Sequence, residues 1–233
     1  MQIWNAPAWQ KLTAGSCLVA ALTIIACQPI PANLTHSTDQ TDPEESVIAQ
    51  AAPLRINELA PDFRGIDSNG ATHNLSDFSG KVVVLEWTNH QCPFVRKHYG
   101  ASNMQTLQAE ATDQDVVWLS IISSAPGQQG YVTAAQANEL TASRGASPTA
   151  VILDPDGQIG RLYSARTTPH MYVIDPQGNL RYMGRIDNIP SADPADIAGA
   201  TNYVRAALNS LQAGQPVETT VTQPYGCSVK YSG

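Results

Sequence analysis

The chain has 233 residues, with 13 basic and 20 acidic side chains, and its formal net charge is −7 at pH 7. Basic residues form no stripe along the sequence, which argues against nucleic acid as a partner. The length allows one domain with a sizeable core, and neither an internal repeat nor a second domain boundary is visible.

The first residues have the pattern of a targeting segment. Lys11 precedes an uncharged, apolar run over residues 12–26. This run is shorter than the about 20 residues of a membrane-spanning helix and is typical of a secretory signal. It ends in Ile24-Ile25-Ala26-Cys27, which resembles the bacterial lipobox. The resemblance implies removal of residues 1–26 as a signal peptide, lipidation of Cys27, and a membrane anchor.

The leader differs from the lipobox pattern at its start, because Lys11 is its only basic residue. Cleavage by an ordinary signal peptidase, which would give a periplasmic protein, therefore stays an alternative. If Cys27 is lipidated, Gln28 is compatible with sorting to the outer membrane of a two-membrane bacterium. Residues 27–55 are rich in Pro, Thr, Ser, Gln and acidic residues, which predicts a flexible tether. The folded domain then covers residues 56–233.

The domain alternates between predicted strands and helices, which indicates an α/β fold with a late antiparallel hairpin. Its first half contains a hairpin at 60–75, a buried strand at 82–87, a helix from 93 to about 112 that Gly100 and Asn103 bend or interrupt, and a strand at 115–123. Its second half contains a helix at 133–144, a strand at 149–153, a short helix ending near 163, a hairpin of 171–175 and 180–184, a helix from 193 or 194 to 211, and a tail from about 215 without a clear element.

Cys92 lies on the turn between the buried strand and the helix that Pro93 begins. Proline suits the first turn of a helix, and the N-terminus of a helix stabilises a negative charge. We therefore expect a lowered pKa for Cys92, which nearby basic side chains would lower further, and a thiolate is the reactive form of cysteine. The alternative is that Cys92 is a buried, inert residue. The basic side chains are His90, Arg96 and Lys97.

Several motifs together resemble the thioredoxin fold, in its peroxiredoxin-like redoxin branch of exported bacterial proteins (alkyl hydroperoxide reductase/thiol-specific antioxidant-like). The resemblance implies a central mixed sheet flanked by helices, with an N-terminal hairpin extension, over nearly all of the chain after residue 56. The motifs are Ala60-Pro-Asp-Phe63, Leu75-Ser-Asp-Phe78-Ser-Gly-Lys81, the strand ending at Trp87, Asn89-His-Gln-Cys-Pro-Phe94, Thr168-Pro169, the Gly178 to Arg185 run, and Gly226-Cys-Ser-Val-Lys-Tyr231.

The resemblance also implies the surroundings of Cys92. Pro169 is expected to be cis and to pack against this cysteine. His170 and His90 are expected near Cys92, where an imidazole can stabilise a thiolate and pass protons; both can equally be structural histidines. His98 is predicted to be exposed.

The motif around Cys92 departs from the two standard redox patterns. The second cysteine of Cys-x-x-Cys is replaced by Val95, which excludes a disulfide within that motif. The Pro and the Thr or Ser of the peroxidase motif are replaced by Leu85 and Asn89. Catalysis by the standard peroxiredoxin route is therefore not expected.

Cys227 in the tail is the other thiol of the mature chain. If the tail folds back over the site, Cys227 can attack an oxidised Cys92 and form a disulfide. The alternatives are a standing structural disulfide, which is common in exported proteins, and two independent thiols.

Three functions stay open at this point. The first is an exported thiol oxidoreductase that uses Cys92 as nucleophile, with protein thiols, disulfides or a hydroperoxide as reaction partners. The second is a soft-metal site in which Cys92, His90 and His170 hold Cu(I), although Arg96 stands where copper-handling relatives have a second cysteine. The third is a partner-binding domain without catalysis. We expect no organic cofactor and no resident metal in the first function.

Overall fold

The computed structural model describes residues 53–233. The predicted signal peptide at 1–26, the lipidation of Cys27 and most of the predicted tether lie outside the described residues. Within 53–233, no helix is both long enough and apolar enough to cross a membrane.

A seven-stranded mixed sheet forms the centre of the domain, in the order β2-β1-β5-β4-β3-β7-β8. The inner strands β3, β4 and β5 are parallel, and the strands outside them pair antiparallel. A separate two-stranded sheet joins β6 to β9. The strands are β1 (Arg64–Asp67), β2 (Thr72–Asn74), β3 (Val83–Trp87), β4 (Val117–Ile122), β5 (Ala150–Leu153), β6 (Thr167–Thr168), β7 (His170–Ile174), β8 (Leu180–Gly184) and β9 (Cys227–Ser228).

Helices cover both faces of the large sheet, which confirms the predicted α/β fold of the thioredoxin type. One face carries α1, α2, α3 and α5, and the other carries α4 and residues 54–63. The helices are α1 (Pro93–Gly100), α2 (Asn103–Thr112), α3 (Ala134–Ser143), α4 (Gln158–Leu162) and α5 (Tyr203–Gln212); short 3-10 turns occupy Leu75–Phe78 and Pro194–Gly199.

Strand β3 is buried along its whole length because both faces of the sheet are covered. Leu85 and Trp87 point to the α4 side, whereas Val84 faces α1, α2 and α5. This explains why the sequence of β3 is a nearly continuous apolar run rather than an alternation of apolar and polar residues. Packing on both faces therefore fixes the C-terminal end of β3, where the turn to Cys92 begins.

Glu86 is the one charged residue of this otherwise apolar strand, and its carboxylate is fully buried. It accepts hydrogen bonds from the side chains of Tyr99, Gln108, Trp118 and Ser120 at 2.9–3.1 Å. Burial raises the pKa of Glu86, and these donors offset part of that shift. The network ties β3 and β4 to α1 and α2, because its members lie on all four elements.

Two predicted helices are each divided in the structure. The segment predicted at 93–112 separates into α1 and α2 at Ser102, whose φ of 57° is left-handed, in agreement with the interruption expected there. The prediction of one continuous helix from residue 193 or 194 to residue 211 was wrong. The segment consists of the 3-10 turn and α5, which begins after Asn202, whose side chain accepts a hydrogen bond from the Arg205 amide.

Two further predictions were wrong. The tail contains β9, which pairs with β6, although the sequence shows no strand pattern there. His98 is fully buried rather than exposed. Its ring contacts Asn103 and the tail residue Tyr225, so the tail covers the face of α1 on which His98 lies.

We predict that Glu86→Leu lowers the free energy of unfolding by roughly 2–4 kcal/mol, because several buried donors lose their acceptor and each unsatisfied group costs about 1–3 kcal/mol. Chemical denaturation measures the change. Glu139→Leu, on the exposed side of α3, is the control and should stay within about 0.5 kcal/mol of the parent. Equal stability of the Glu86 variant and the parent would contradict the role of this network.

Candidate functional site

The turn between β3 and α1 places Cys92 at the helix N-cap, with Pro93 as the first helical residue. The turn is closed by a backbone hydrogen bond from Cys92 N to the Asn89 carbonyl, 3.0 Å. The Asn89 side chain also accepts a bond from the Gln91 amide, 2.9 Å. The sulfur consequently lies at the positive end of α1, where a helix favours negative charge.

The segment around Pro169 forms one wall of the site. The Thr168–Pro169 peptide bond is cis, which is the geometry that the thioredoxin resemblance implies. The Thr168 carbonyl oxygen lies 3.0 Å from Cys92 Sγ and accepts a hydrogen bond from the thiol. The residue before Pro169 thus contacts the sulfur directly.

The C-terminal tail forms a second wall of the site, next to the Thr168 segment. Strand β9 pairs antiparallel with β6, and this register sets Cys227 opposite Thr168. The Cys227 amide donates a hydrogen bond to Cys92 Sγ, 3.4 Å. Both cysteines are free thiols. Cys92 is fully buried and Cys227 is half-buried, so the tail covers the sulfur of Cys92.

Gly226 permits this close approach. Its φ is +136°, a conformation that residues with a side chain rarely adopt. A Cβ at this position would overlap the Thr168 carbonyl oxygen. The tail can therefore reach the site only with glycine immediately before Cys227.

The two thiols have opposite pKa shifts. For Cys92, burial works against ionisation, but hydrogen bonds from the Cys227 thiol, the Val95 and Cys227 amides and the Thr168 side chain outweigh it and lower the pKa. The pKa of Cys227 is raised to about 12 by burial, by its hydrogen bond to Cys92 and by the negative charge on Cys92. Cys92 is therefore the more acidic thiol of the pair, and Cys227 is the less acidic one.

Neither predicted histidine hydrogen-bonds to Cys92 within residues 53–233. His170 is buried, and its Nδ1 lies 3.1 Å from the Tyr172 hydroxyl and 3.4 Å from the Arg166 amide. Burial, together with the charge of Arg166, lowers the pKa of His170 to about 3. Its ring is therefore neutral near neutral pH and supplies no positive charge to the thiolate.

His90 lies on the other side of the turn. It borders a cavity of about 40 Å³ together with Thr88 and Arg144, and its carbonyl accepts a hydrogen bond from Arg144, 3.3 Å. Burial and the nearby Arg144 lower the pKa of His90. The donors that lower the pKa of Cys92 are thus a second thiol, backbone amides and the Thr168 side chain rather than imidazoles.

A buried polar cluster beside the site was missed by sequence reasoning. Asp187 accepts hydrogen bonds from the Tyr225 hydroxyl and from Lys97 Nζ, the latter at 3.3 Å. His98 Nε2 lies 3.8 Å from the same carboxylate. Burial lowers the pKa of His98 to about 4, so its ring is neutral near neutral pH. Asp187 lies just beyond the Gly178 to Arg185 motif, and no pattern in the sequence links it to the tail.

A soft-metal site finds no support in this geometry. Within 53–233, no three side chains of the His, Cys, Asp and Glu types come together as metal ligands. The atoms that would bind the metal have other partners instead. Cys92 Sγ contacts Thr168 and Cys227, and the His170 ring contacts Tyr172.

The comparisons with known proteins agree with this fold. Residues 56–183 match the AhpC/TSA family, and the chain belongs to this family. Membership in a redoxin family with the thioredoxin fold supports a redox role. The search of curated proteins returns no significant match.

Two solved structures are similar over most of the chain. One is a hypothetical protein of Sinorhizobium meliloti 1021, with 21% identity, a TM-score of 0.65, and coverage of 79% of this chain and 98% of the other. The second is an uncharacterized conserved protein from Geobacillus kaustophilus, with 23% identity and a TM-score of 0.64. The match covers 77% of this chain and 93% of the other. At these identities the two structures show the fold.

We predict that replacing Cys227 raises the pKa of Cys92 toward its ordinary value of 9.0, because a donor to the thiolate is lost. The rate of Cys92 alkylation by iodoacetamide, located by mass spectrometry and followed against pH, gives the midpoint. Cys227→Ala should shift the midpoint upward, whereas Ser228→Ala, on the same strand, should not. Identical midpoints in the parent and Cys227→Ala would contradict the assignment of Cys227 as a donor.

Proposed function

We propose that this protein is an exported thiol–disulfide redox protein in which Cys92 is the nucleophile and Cys227 resolves it by forming a disulfide. The observation that carries the proposal is the β6–β9 pairing, which sets Cys227 opposite Thr168 and its amide 3.4 Å from Cys92 Sγ. The partners are protein thiols and disulfides, and the cycle needs no organic cofactor.

The difference between the two thiols supports this division of roles. A thiolate is the attacking species in thiol–disulfide exchange, and the lowered pKa of Cys92 favours it. Cys92 attacks one sulfur of a substrate disulfide, the substrate S–S bond breaks, and the second substrate sulfur leaves as a thiolate that takes a proton from solvent. Cys92 is then bonded to the substrate and no longer carries charge.

That loss of charge prepares the second step. The negative charge on Cys92 is one of the causes that raise the pKa of Cys227, so this pKa falls once Cys92 is in a mixed disulfide. Cys227 loses its proton and attacks the Cys92 sulfur. The Cys92–Cys227 disulfide forms, and the other substrate sulfur is released as a thiol. Two electrons pass from the protein to the substrate disulfide.

An antioxidant reaction is the second candidate, and family membership favours it. In that case Cys92 attacks a hydroperoxide, the O–O bond breaks, and an alcohol and a sulfenic acid form. Cys227 then condenses with the sulfenic acid and releases water. Both routes end in the same disulfide, and a thiol reductant must return it to the two thiols.

The location of the protein is also part of the proposal. The apolar run at 12–26 and the lipobox-like sequence ending in Cys27 support export and a lipid anchor, and Gln28 supports sorting to the periplasmic side of the outer membrane. A tether at 27–55 would then separate the anchor from the redox domain.

We predict that a mild oxidant converts Cys92 and Cys227 into an intramolecular disulfide, because the pair already lies in contact. Incubation with oxidised glutathione, followed by non-reducing peptide mapping, detects the bond. Cys227→Ser should instead accumulate a Cys92–glutathione adduct, and Cys92→Ser should give neither product. A parent protein that accumulates only the glutathione adduct would contradict the resolving role.

We further predict that turnover needs Cys92, whereas Cys227 is needed only to form the intramolecular disulfide. With dithiothreitol as reductant, Cys92→Ser should lose turnover of disulfide or hydroperoxide substrates by at least about 100-fold, because the raised pKa of Cys227 makes it a poor nucleophile. Dithiothreitol can itself reduce the Cys92 intermediate, so Cys227→Ser is assayed without it and should complete one stoichiometric attack per molecule. Consumption of hydroperoxide without disulfide reduction would select the antioxidant route. Full turnover by Cys92→Ser would refute both the disulfide-exchange route and the antioxidant route.

A further inference from the structure

The surface beneath the C-terminal tail has the form of a groove for an extended peptide. We define the strap as residues 225–231, which cross the site from α1 to α4. All strap residues are half-buried or exposed, so the strap lies on the surface of the domain rather than within its core. An extended chain rises by roughly 3.3 Å per residue, so the strap spans about 20 Å.

The main chain of the strap is held by the edge of β6. The ladder pairs Thr167 with Ser228 and Thr168 with Cys227. Beyond it, the Val229 amide donates to the Arg166 carbonyl, 2.9 Å. These bonds use backbone groups, so any extended polypeptide with glycine at the position of Gly226 can make them.

Two sockets at the ends of the groove hold aromatic side chains. Tyr225 packs edge-to-face on Phe94, with ring centroids 5.6 Å apart, and its hydroxyl donates to Asp187. Tyr231 lies against Gly157 and Gly160, where a Cβ on either glycine would overlap its ring.

Further polar contacts fix the second socket. The Tyr231 hydroxyl donates to the Ala165 carbonyl, 2.8 Å, and the Arg161 guanidinium lies 4.8 Å from its ring centroid. The groove therefore holds an aromatic residue two positions before the cysteine and another four positions after it.

We propose that this groove is a peptide-binding subsite of Cys92, which the strap occupies in the reduced protein and which a partner polypeptide carrying a cysteine enters when the strap leaves. The inference rests on the proposed function and adds its substrate class. The partner segment is extended, has glycine before its cysteine, and carries aromatic side chains at the two socket positions.

The same contacts predict that a small disulfide is a poorer substrate than a matching peptide. Cys92 is fully buried under the strap, so every substrate must wait for the strap to open, and its apparent affinity falls with the open fraction. A matching peptide regains the backbone ladder and both sockets, as in recognition by strand addition. A small disulfide regains none of these contacts.

The test uses full-length Cys227→Ser and full-length Gly226→Ala/Cys227→Ser. The alanine removes the glycine that lets the strap approach Thr168, so it should free the groove. The probes are a peptide of residues 222–233 whose cysteine is linked to thionitrobenzoate, the same peptide with both tyrosines replaced by alanine, and glutathione linked to thionitrobenzoate. Attack by Cys92 releases coloured thionitrobenzoate and leaves a mixed disulfide.

In Gly226→Ala/Cys227→Ser, the native peptide should react at least about tenfold faster than the other two probes. In Cys227→Ser, where the strap stays in place, this preference should be reduced. Similar rates for all three probes with the freed variant would overturn the peptide subsite while leaving the redox function intact. Tyr231→Ala/Cys227→Ser, which releases the other end of the strap, repeats the comparison without changing the backbone.

A binding measurement separates failure of the groove from failure of the chemistry. A fluorescent peptide of residues 222–233 with serine in place of cysteine should bind the freed variant saturably, and the alanine-substituted peptide should bind at least about tenfold more weakly. No binding would overturn the subsite. Binding without any thionitrobenzoate release would support the subsite and refute the proposed redox function. A dimer of the freed variant joined through its straps would assign the groove to a second copy instead.

Discussion

The site depends on one contact, the hydrogen bond from the Cys227 amide to the sulfur of Cys92. It exists because β9 adds to β6 in a register that puts Cys227 opposite Thr168. Gly226 makes this register possible, since its backbone is left-handed in φ and a side chain there would overlap the Thr168 carbonyl. A two-residue strand thereby brings together two thiols that are far apart in the sequence.

The strap has two effects on Cys92 that oppose each other. It donates hydrogen bonds that lower the pKa of the thiol, and it buries the sulfur completely. A lowered pKa favours attack, whereas burial prevents a substrate from reaching the attacking atom. In this account the reduced protein holds a prepared but shielded nucleophile, and opening of the strap controls when it reacts.

The sequence was sufficient to predict the fold and the position of Cys92, because hydrophobic periodicity, Pro93 and the redoxin motifs all indicate the same arrangement. It also indicated the cis geometry before Pro169. It did not indicate β9, since a two-residue strand has no periodicity and its partner is distant. The burial of His98 was missed for a related reason, because Tyr225 and Asp187 cover it from remote parts of the chain. Contacts of this kind depend on tertiary packing and leave no local pattern.

Amide hydrogen exchange of the reduced protein tests the central claim most directly. If the strap is docked, the amides of Cys227 and Val229 are hydrogen-bonded to Cys92 Sγ and to the Arg166 carbonyl, and both should exchange more slowly than the amide of exposed Gly233. Gly226→Ala should remove this protection while the amides of β3 stay protected. Exchange of Cys227 and Val229 at the rate of an unstructured chain in the parent protein would contradict the account.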